Sequence, residues 1–78
     1  MNRVEILSKL KDIVENQLNE KLNLAEETAL VGEGILDSLE FMNYLTTVEE
    51  TFDTSISDND IEKYQLGKIS NMIDFLSK

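Results

Sequence analysis

One serine in this chain stands where a covalently attached group can be held. Ser38 lies in the run Gly34-Ile35-Leu36-Asp37-Ser38-Leu39-Glu40-Phe41, directly after a glycine-punctuated loop and at the mouth of an acidic amphipathic helix. A helix N-terminus offers unsatisfied backbone N–H groups and the positive end of the macrodipole. A phosphodiester on that hydroxyl therefore sits in a favourable field even in a very acidic protein. Asp37 is a good N-cap, and Glu40, three residues on, is spaced to reach back to the Asp37 N–H as in a capping box. That pairing leaves Ser38 in the first turn with its hydroxyl free. The competing reading is structural: an Asp-Ser pair at a helix start caps the helix and does nothing more. Periodicity leaves both open.

Other chemistry is largely excluded by composition. The chain has no histidine and no cysteine, which removes imidazole bases, thiolate nucleophiles, disulfides and the usual zinc ligands together. No catalytic residue and no metal site is expected. Asp58, Asp60 and Glu62 alternate as in a calcium loop, but a loop starting at Asp58 needs Gly where Lys63 stands and Glu where Ile69 stands. Gly32 and Gly34 do not extend into a nucleotide-binding motif, and the strand such motifs require is missing. Tyr44 and Tyr64 read as core aromatics with hydroxyls at the edge.

Sixteen Asp and Glu against seven Lys and Arg leave a net charge of −9. That charge repels nucleic acid and anionic lipid, so the expected partners are proteins with basic patches. The N-terminus lacks the apolar run of a signal peptide, and no later segment is long and apolar enough to span a bilayer. A cytoplasmic monomer is expected, with residues 1–78 forming one domain.

The elements that must position Ser38 follow from the apolar spacing. Ile6, Leu7, Leu10, Ile13, Val14 and Leu18 recur at three- and four-residue steps and predict a first helix over about 3–19. From Glu20 to Leu36 the helical period is lost. Leu22, Leu24, Leu30, Val31, Ile35 and Leu36 read as anchors pinning a long loop to the core, with flexible turns at Gly32 and Gly34. The second helix runs from about Asp37 to Phe52. A short third begins at the cap Ser57-Asp58-Asn59-Asp60 and reaches about Lys63, with Ile56, Ile61 and Tyr64 facing inward. The last, over about 68–77, carries Ile69, Met72, Ile73 and Leu76 at helical spacing. The expected fold class is all-α: a small four-helix bundle with three main helices, one short third helix, and a long loop between helices 1 and 2.

On the second helix, at about 100° per residue, Phe41, Tyr44, Leu45, Val48 and Phe52 share one sector, the core face. Leu39 and Met42 fall outside it, beside Glu40, Asn43, Thr46 and Glu50 or at their margin. Two apolar side chains rimmed by carboxylates form a small docking patch; the bland alternative is ordinary scattered surface residues.

The run Gly34-Ile35-Leu36-Asp37-Ser38-Leu39-Glu40 resembles the attachment motif of acyl carrier proteins, in which the serine of an Asp-Ser-Leu core bears a 4′-phosphopantetheine arm. The likeness extends over most of the chain, through Glu49-Glu50-Thr51-Phe52-Asp53, Ile56-Ser57-Asp58 and the final Ile69-to-Leu76 helix. It implies a four-helix carrier fold and covalent 4′-phosphopantetheine from coenzyme A, attached to Ser38 by a phosphopantetheinyl transferase. It also implies acyl cargo held as thioesters, loaded and processed by ligase or synthase enzymes with basic docking patches. Asp37 carries over as the motif neighbour and cap. Leu39, Glu40, Met42 and Glu49 carry over to the helix that the family presents to its partners.

Departures bear on the cargo. Leu36 stands before Asp-Ser where many fatty-acid-synthesis carriers have a small residue, and Asn43 stands where those carriers often have an acid. The motif is closer to stand-alone aminoacyl, peptidyl or D-alanyl carriers and to specialised acyl carriers. Ser57 stands where Pro is frequent, which loosens the start of the third helix. Two function classes follow: a carrier that needs Ser38, and a non-covalent acidic helical adaptor that does not.

Overall fold

The computed structural model describes residues 1–77. It is all-α: α1 spans Arg3–Leu18, α2 Ser38–Phe52, α3 Asp58–Tyr64 and α4 Ile69–Leu76. Helix α1 packs against α2 and α4, and α3 packs against α4. Each expected helix is present, with its ends within one residue of the spacing-based bounds.

The core is built from the apolar stripes that periodicity marks out. Ile6, Leu10, Ile13 and Val14 of α1 meet Tyr44, Leu45 and Val48 of α2 and Ile69, Met72 and Ile73 of α4, joined by Leu30, Leu36 and Leu66 from the connections. Phe41 and Phe52, at the two ends of the α2 stripe, are only half-buried.

Helix ends are closed without glycine. Asn19, Asp53 and Gln65 take left-handed backbone angles at φ 56°, 51° and 50°. The N–H of each following residue then reaches five residues back, from Glu20 to the Glu15 carbonyl (3.2 Å), Thr54 to Glu49 (3.1 Å) and Leu66 to Ile61 (3.2 Å). This is the Schellman closure, whose left-handed residue the short polar side chains of Asn19 and Asp53 tolerate at modest cost and the longer Gln65 at somewhat more. At α3, the Ser57 hydroxyl accepts from the Asp60 N–H and the Asp60 carboxylate accepts from the Ser57 N–H. A complete capping box thus secures the helix start that the missing proline was expected to loosen.

The long α1–α2 connection is ordered by what it gives to the helices. Helix α4 has no side-chain cap on Lys68. Instead the loop carbonyls of Thr28 and Glu26 accept the N–H groups of Ile69 (2.9 Å) and Ser70 (2.8 Å), satisfying donors that every helix start leaves open. An isolated antiparallel bridge pairs Ala29 with Lys68, and the Leu30 N–H donates to the Gly67 carbonyl at 2.9 Å. Arg3 ties the loop to both ends of the chain by bridging Glu26 and Asp74.

Leu30 and Leu36 are buried as expected of anchors, and Leu22, Leu24 and Ile35 pack partly against the core. Val31 differs: it is 42% exposed, because the turn that buries Leu30 turns its neighbour outward. Of the two expected glycine turns, only Gly34 has positive φ, at 75°. Tyr44 also differs. Its whole side chain, hydroxyl included, lies in the core at 0% exposure.

Candidate functional site

The first turn of α2 is fixed from three sides. Asp37 is the N-cap, with extended backbone; its Oδ1 accepts the Glu40 N–H at 2.8 Å, and Glu40 Oε1 accepts the Asp37 N–H at 2.9 Å. The capping box is complete. Gln17 of α1 donates from Nε2 to the Glu40 carbonyl at 2.7 Å, so the turn is also pinned to a neighbouring helix. Leu36, before the cap, and Phe41, four residues after it, both pack on the core, at the spacing of a hydrophobic staple.

Ser38 occupies the first helical position and is exposed. Because Asp37 and Glu40 close the cap between them, the Ser38 hydroxyl makes no hydrogen bond among the described residues. The backbone N–H groups of Ser38 and Leu39 likewise meet no acceptor there. A phosphate ester on Ser38 fits this corner: the hydroxyl is reachable, and two open amides and the dipole favour an anion.

Around that turn, Leu39 is 73% and Met42 49% exposed. Asn43, Thr46 and Glu50 are exposed as well, and α2 contains three glutamates and no Lys or Arg. Glu49 is differently placed: half-buried, it accepts the Ile56 N–H on Oε2 at 2.7 Å.

The structure thus brings Asp37, Ser38, Leu39, Glu40 and Met42 to one end of α2 and sets Glu49 near the other. Sequence reasoning missed Gln17, whose hydrogen bond crosses 23 residues and leaves no local signal. Among the described residues no group of acidic side chains is arranged to hold a metal ion, and no helix is long and apolar enough to cross a membrane.

The family model described as "Phosphopantetheine attachment site" matches residues 8–76. The acyl carrier protein of Buchnera aphidicola subsp. Schizaphis graminum is 33% identical over 78 residues, covering 99% of this chain and 94% of that one. The acyl carrier protein of Thermosynechococcus vestitus is 32% identical over 78 residues, with the same coverage of both chains. Among solved structures, the solution structure of a candidate acyl carrier protein from Anaplasma phagocytophilum superposes with a TM-score of 0.76. It is 31% identical and covers 92% of this chain and 84% of that one.

Proposed function

This chain belongs to the acyl carrier protein family, and we propose that Ser38 is the residue that carries its covalent 4′-phosphopantetheine. When bound, that arm supplies a terminal thiol on which acyl groups ride as thioesters. The function is that of an acyl carrier; the relatives favour it over an aminoacyl, peptidyl or D-alanyl carrier and over a non-covalent adaptor.

One observation carries the assignment to Ser38: its hydroxyl is exposed and unbonded because the Asp37–Glu40 box satisfies the helix start without it. The protein's own residues then act as a platform. Asp37 and Glu40 hold the turn, Gln17 fixes it to α1, and the open N–H groups of Ser38 and Leu39 stabilise a phosphate anion. Leu39 and Met42 offer an apolar contact beside Glu40, and the acidic surface continues toward the far end of α2 through Glu50 and Glu49, whose carboxylate also holds Ile56. Such a surface gives weak, salt-sensitive docking to basic patches on the transferase and on acyl-processing enzymes. Weak docking suits a carrier that visits several enzymes while its cargo stays tethered.

The finer reading is a specialised stand-alone acyl carrier, acting as a cytoplasmic monomer of one domain without catalytic residues and without affinity for nucleic acid. Leu36 and Asn43 support the specialised assignment: Leu36 fills a core position with a large side chain, and Asn43 removes a charge from the exposed side of α2.

Incubation with coenzyme A and a promiscuous phosphopantetheinyl transferase tests the attachment. Intact mass should rise by one arm, and Ser38→Ala should abolish the gain while helical circular dichroism stays unchanged. A mass gain that persists in Ser38→Ala, or no gain with several transferases, overturns it. For the finer reading, poor loading by the enzymes of bulk fatty-acid synthesis is expected, and efficient turnover by them counts against specialisation.

A further inference from the structure

The Tyr44 hydroxyl is, among the described residues, the buried side-chain polar atom left without a hydrogen-bond partner. Tyr44 belongs to the apolar core cluster that α1, α2 and α4 build with Leu30, Leu36 and Leu66. Leaving a phenol unpaired there costs the desolvation of its hydroxyl, which a phenylalanine of the same shape avoids. Burial also pushes the phenol well above its ordinary range, so it stays an O–H donor. A buried donor to which the described residues offer no acceptor is suited to an acceptor that arrives from outside the fold.

The geometry links this donor to the attachment turn. Ser38, Phe41 and Tyr44 lie three residues apart on α2, a row that rotates about 60° at each step and passes from exposed through half-buried to fully buried. Six residues at about 1.5 Å rise put Tyr44 roughly 9 Å along the axis from Ser38. The Phe41 and Tyr44 rings are stacked, with centroids 5.8 Å apart and planes 22° apart. The tip of the Phe41 ring faces Gly67, which has no side chain to obstruct the ring.

We infer that Tyr44 is a specificity-determining residue, whose O–H donates to an oxygen of the tethered acyl group when Phe41 turns aside, so that this carrier favours hydroxy- or oxo-acyl cargo over saturated cargo of equal length. The inference rests on attachment at Ser38. The fold has already desolvated the phenol, so an acceptor oxygen that gives up water recovers a hydrogen bond at a preorganised donor. A saturated chain at the same depth leaves the donor unpaired.

The test loads the full-length wild-type protein and Tyr44→Phe from the coenzyme A thioesters of hexanoic and 3-oxohexanoic acid, with loading verified by intact mass. In the wild type the oxo cargo should raise the thermal midpoint about 5 °C above the hexanoyl form and shift the Tyr44 ring Cζ resonance. In Tyr44→Phe the difference should vanish or reverse. The same oxo-over-saturated ranking in Tyr44→Phe overturns the inference, as does a Cζ resonance indifferent to both cargoes, the outcome expected if a resident water already pairs the phenol. A mass gain with an unresponsive Tyr44 overturns this inference alone, whereas no mass gain removes the attachment at Ser38 and the inference with it.

Discussion

Glu49 accepts the backbone N–H of Ile56 on its Oε2 at 2.7 Å. The same device occurs one helix earlier, where Glu15 Oε2 holds the Leu22 N–H at 2.7 Å. In both, a glutamate four residues before a left-handed cap, Asn19 or Asp53, receives an N–H three residues after it. A carboxylate in the last turn of a helix opposes the dipole; here the chain folds back and gives it a donor. These two clasps set the exit directions of α1 and α2, and so the path of the loop that leads to Ser38 and of the segment that leads to α3.

Replacing Glu49 with alanine should therefore act on stability before it acts on docking. The lost hydrogen bond has a charged acceptor, and solvent at the half-buried carboxylate weakens it, so a cost of about 1–2 kcal/mol is expected. For a domain of this size that lowers the thermal midpoint by roughly 4–16 °C. Faster amide exchange at Ile56 is the local check. Glu15→Ala should behave alike at Leu22, and the two losses should add, because the clasps share no residue.

Asp37→Ala removes the cap acceptor for the Glu40 N–H and should cost about 1 kcal/mol, with Asp37→Asn or Asp37→Ser recovering most of it. The turn that frays is the one holding Ser38. The transferase reaction should slow in Asp37→Ala beyond what its unchanged hydroxyl would suggest, measured as the initial rate of mass gain beside a urea denaturation curve.

What was legible in the sequence was local. Helix limits, the α2 core face and the Asp37–Glu40 box all rest on residues within a turn or two of one another, where spacing and side-chain chemistry decide the outcome. The Ser57 cap is legible in the same way, but the expected looseness at that position gives the missing proline more weight than the cap, which the Ser57–Asp60 box outweighs. Long-range partners were not legible. Nothing near Thr28 or Glu26 marks them as acceptors for α4, and nothing near Gln17 points to the Glu40 carbonyl. The Tyr44 hydroxyl, though not its ring, is expected at the edge of the core because buried phenols usually find a partner; helical bearing places the residue on the core face but carries no information on depth.

That depth has a consequence at high pH. Burial raises the Tyr44 phenol in the folded state, whereas an unfolded tyrosine ionises near pH 10, at about 10. The unfolded chain therefore holds fewer protons above that point, and stability falls as pH rises. The contribution is fully present below about pH 10 and declines above it by up to about 1.4 kcal/mol per pH unit. Tyr44→Phe should flatten this part of the alkaline denaturation profile, followed by circular dichroism, and remove a late, unfolding-linked step from the absorbance of ionised tyrosine.

The docking surface makes the opposite demand: substitutions there should change binding and leave the fold alone. Leu39 and Met42 are exposed at 73% and 49%, so Leu39→Ala and Met42→Ala should alter stability by no more than about 0.5 kcal/mol. Each should weaken a basic partner several-fold, seen chiefly as faster dissociation, since apolar contacts form after encounter. Glu50→Gln should instead slow association and reduce its salt dependence, because an exposed charge acts through the long-range field. Kinetics against the phosphopantetheinyl transferase at two ionic strengths separate the two behaviours. Equal rates for wild type and Met42→Ala would remove the apolar half of the surface, and a salt response unchanged in Glu50→Gln would remove the electrostatic half.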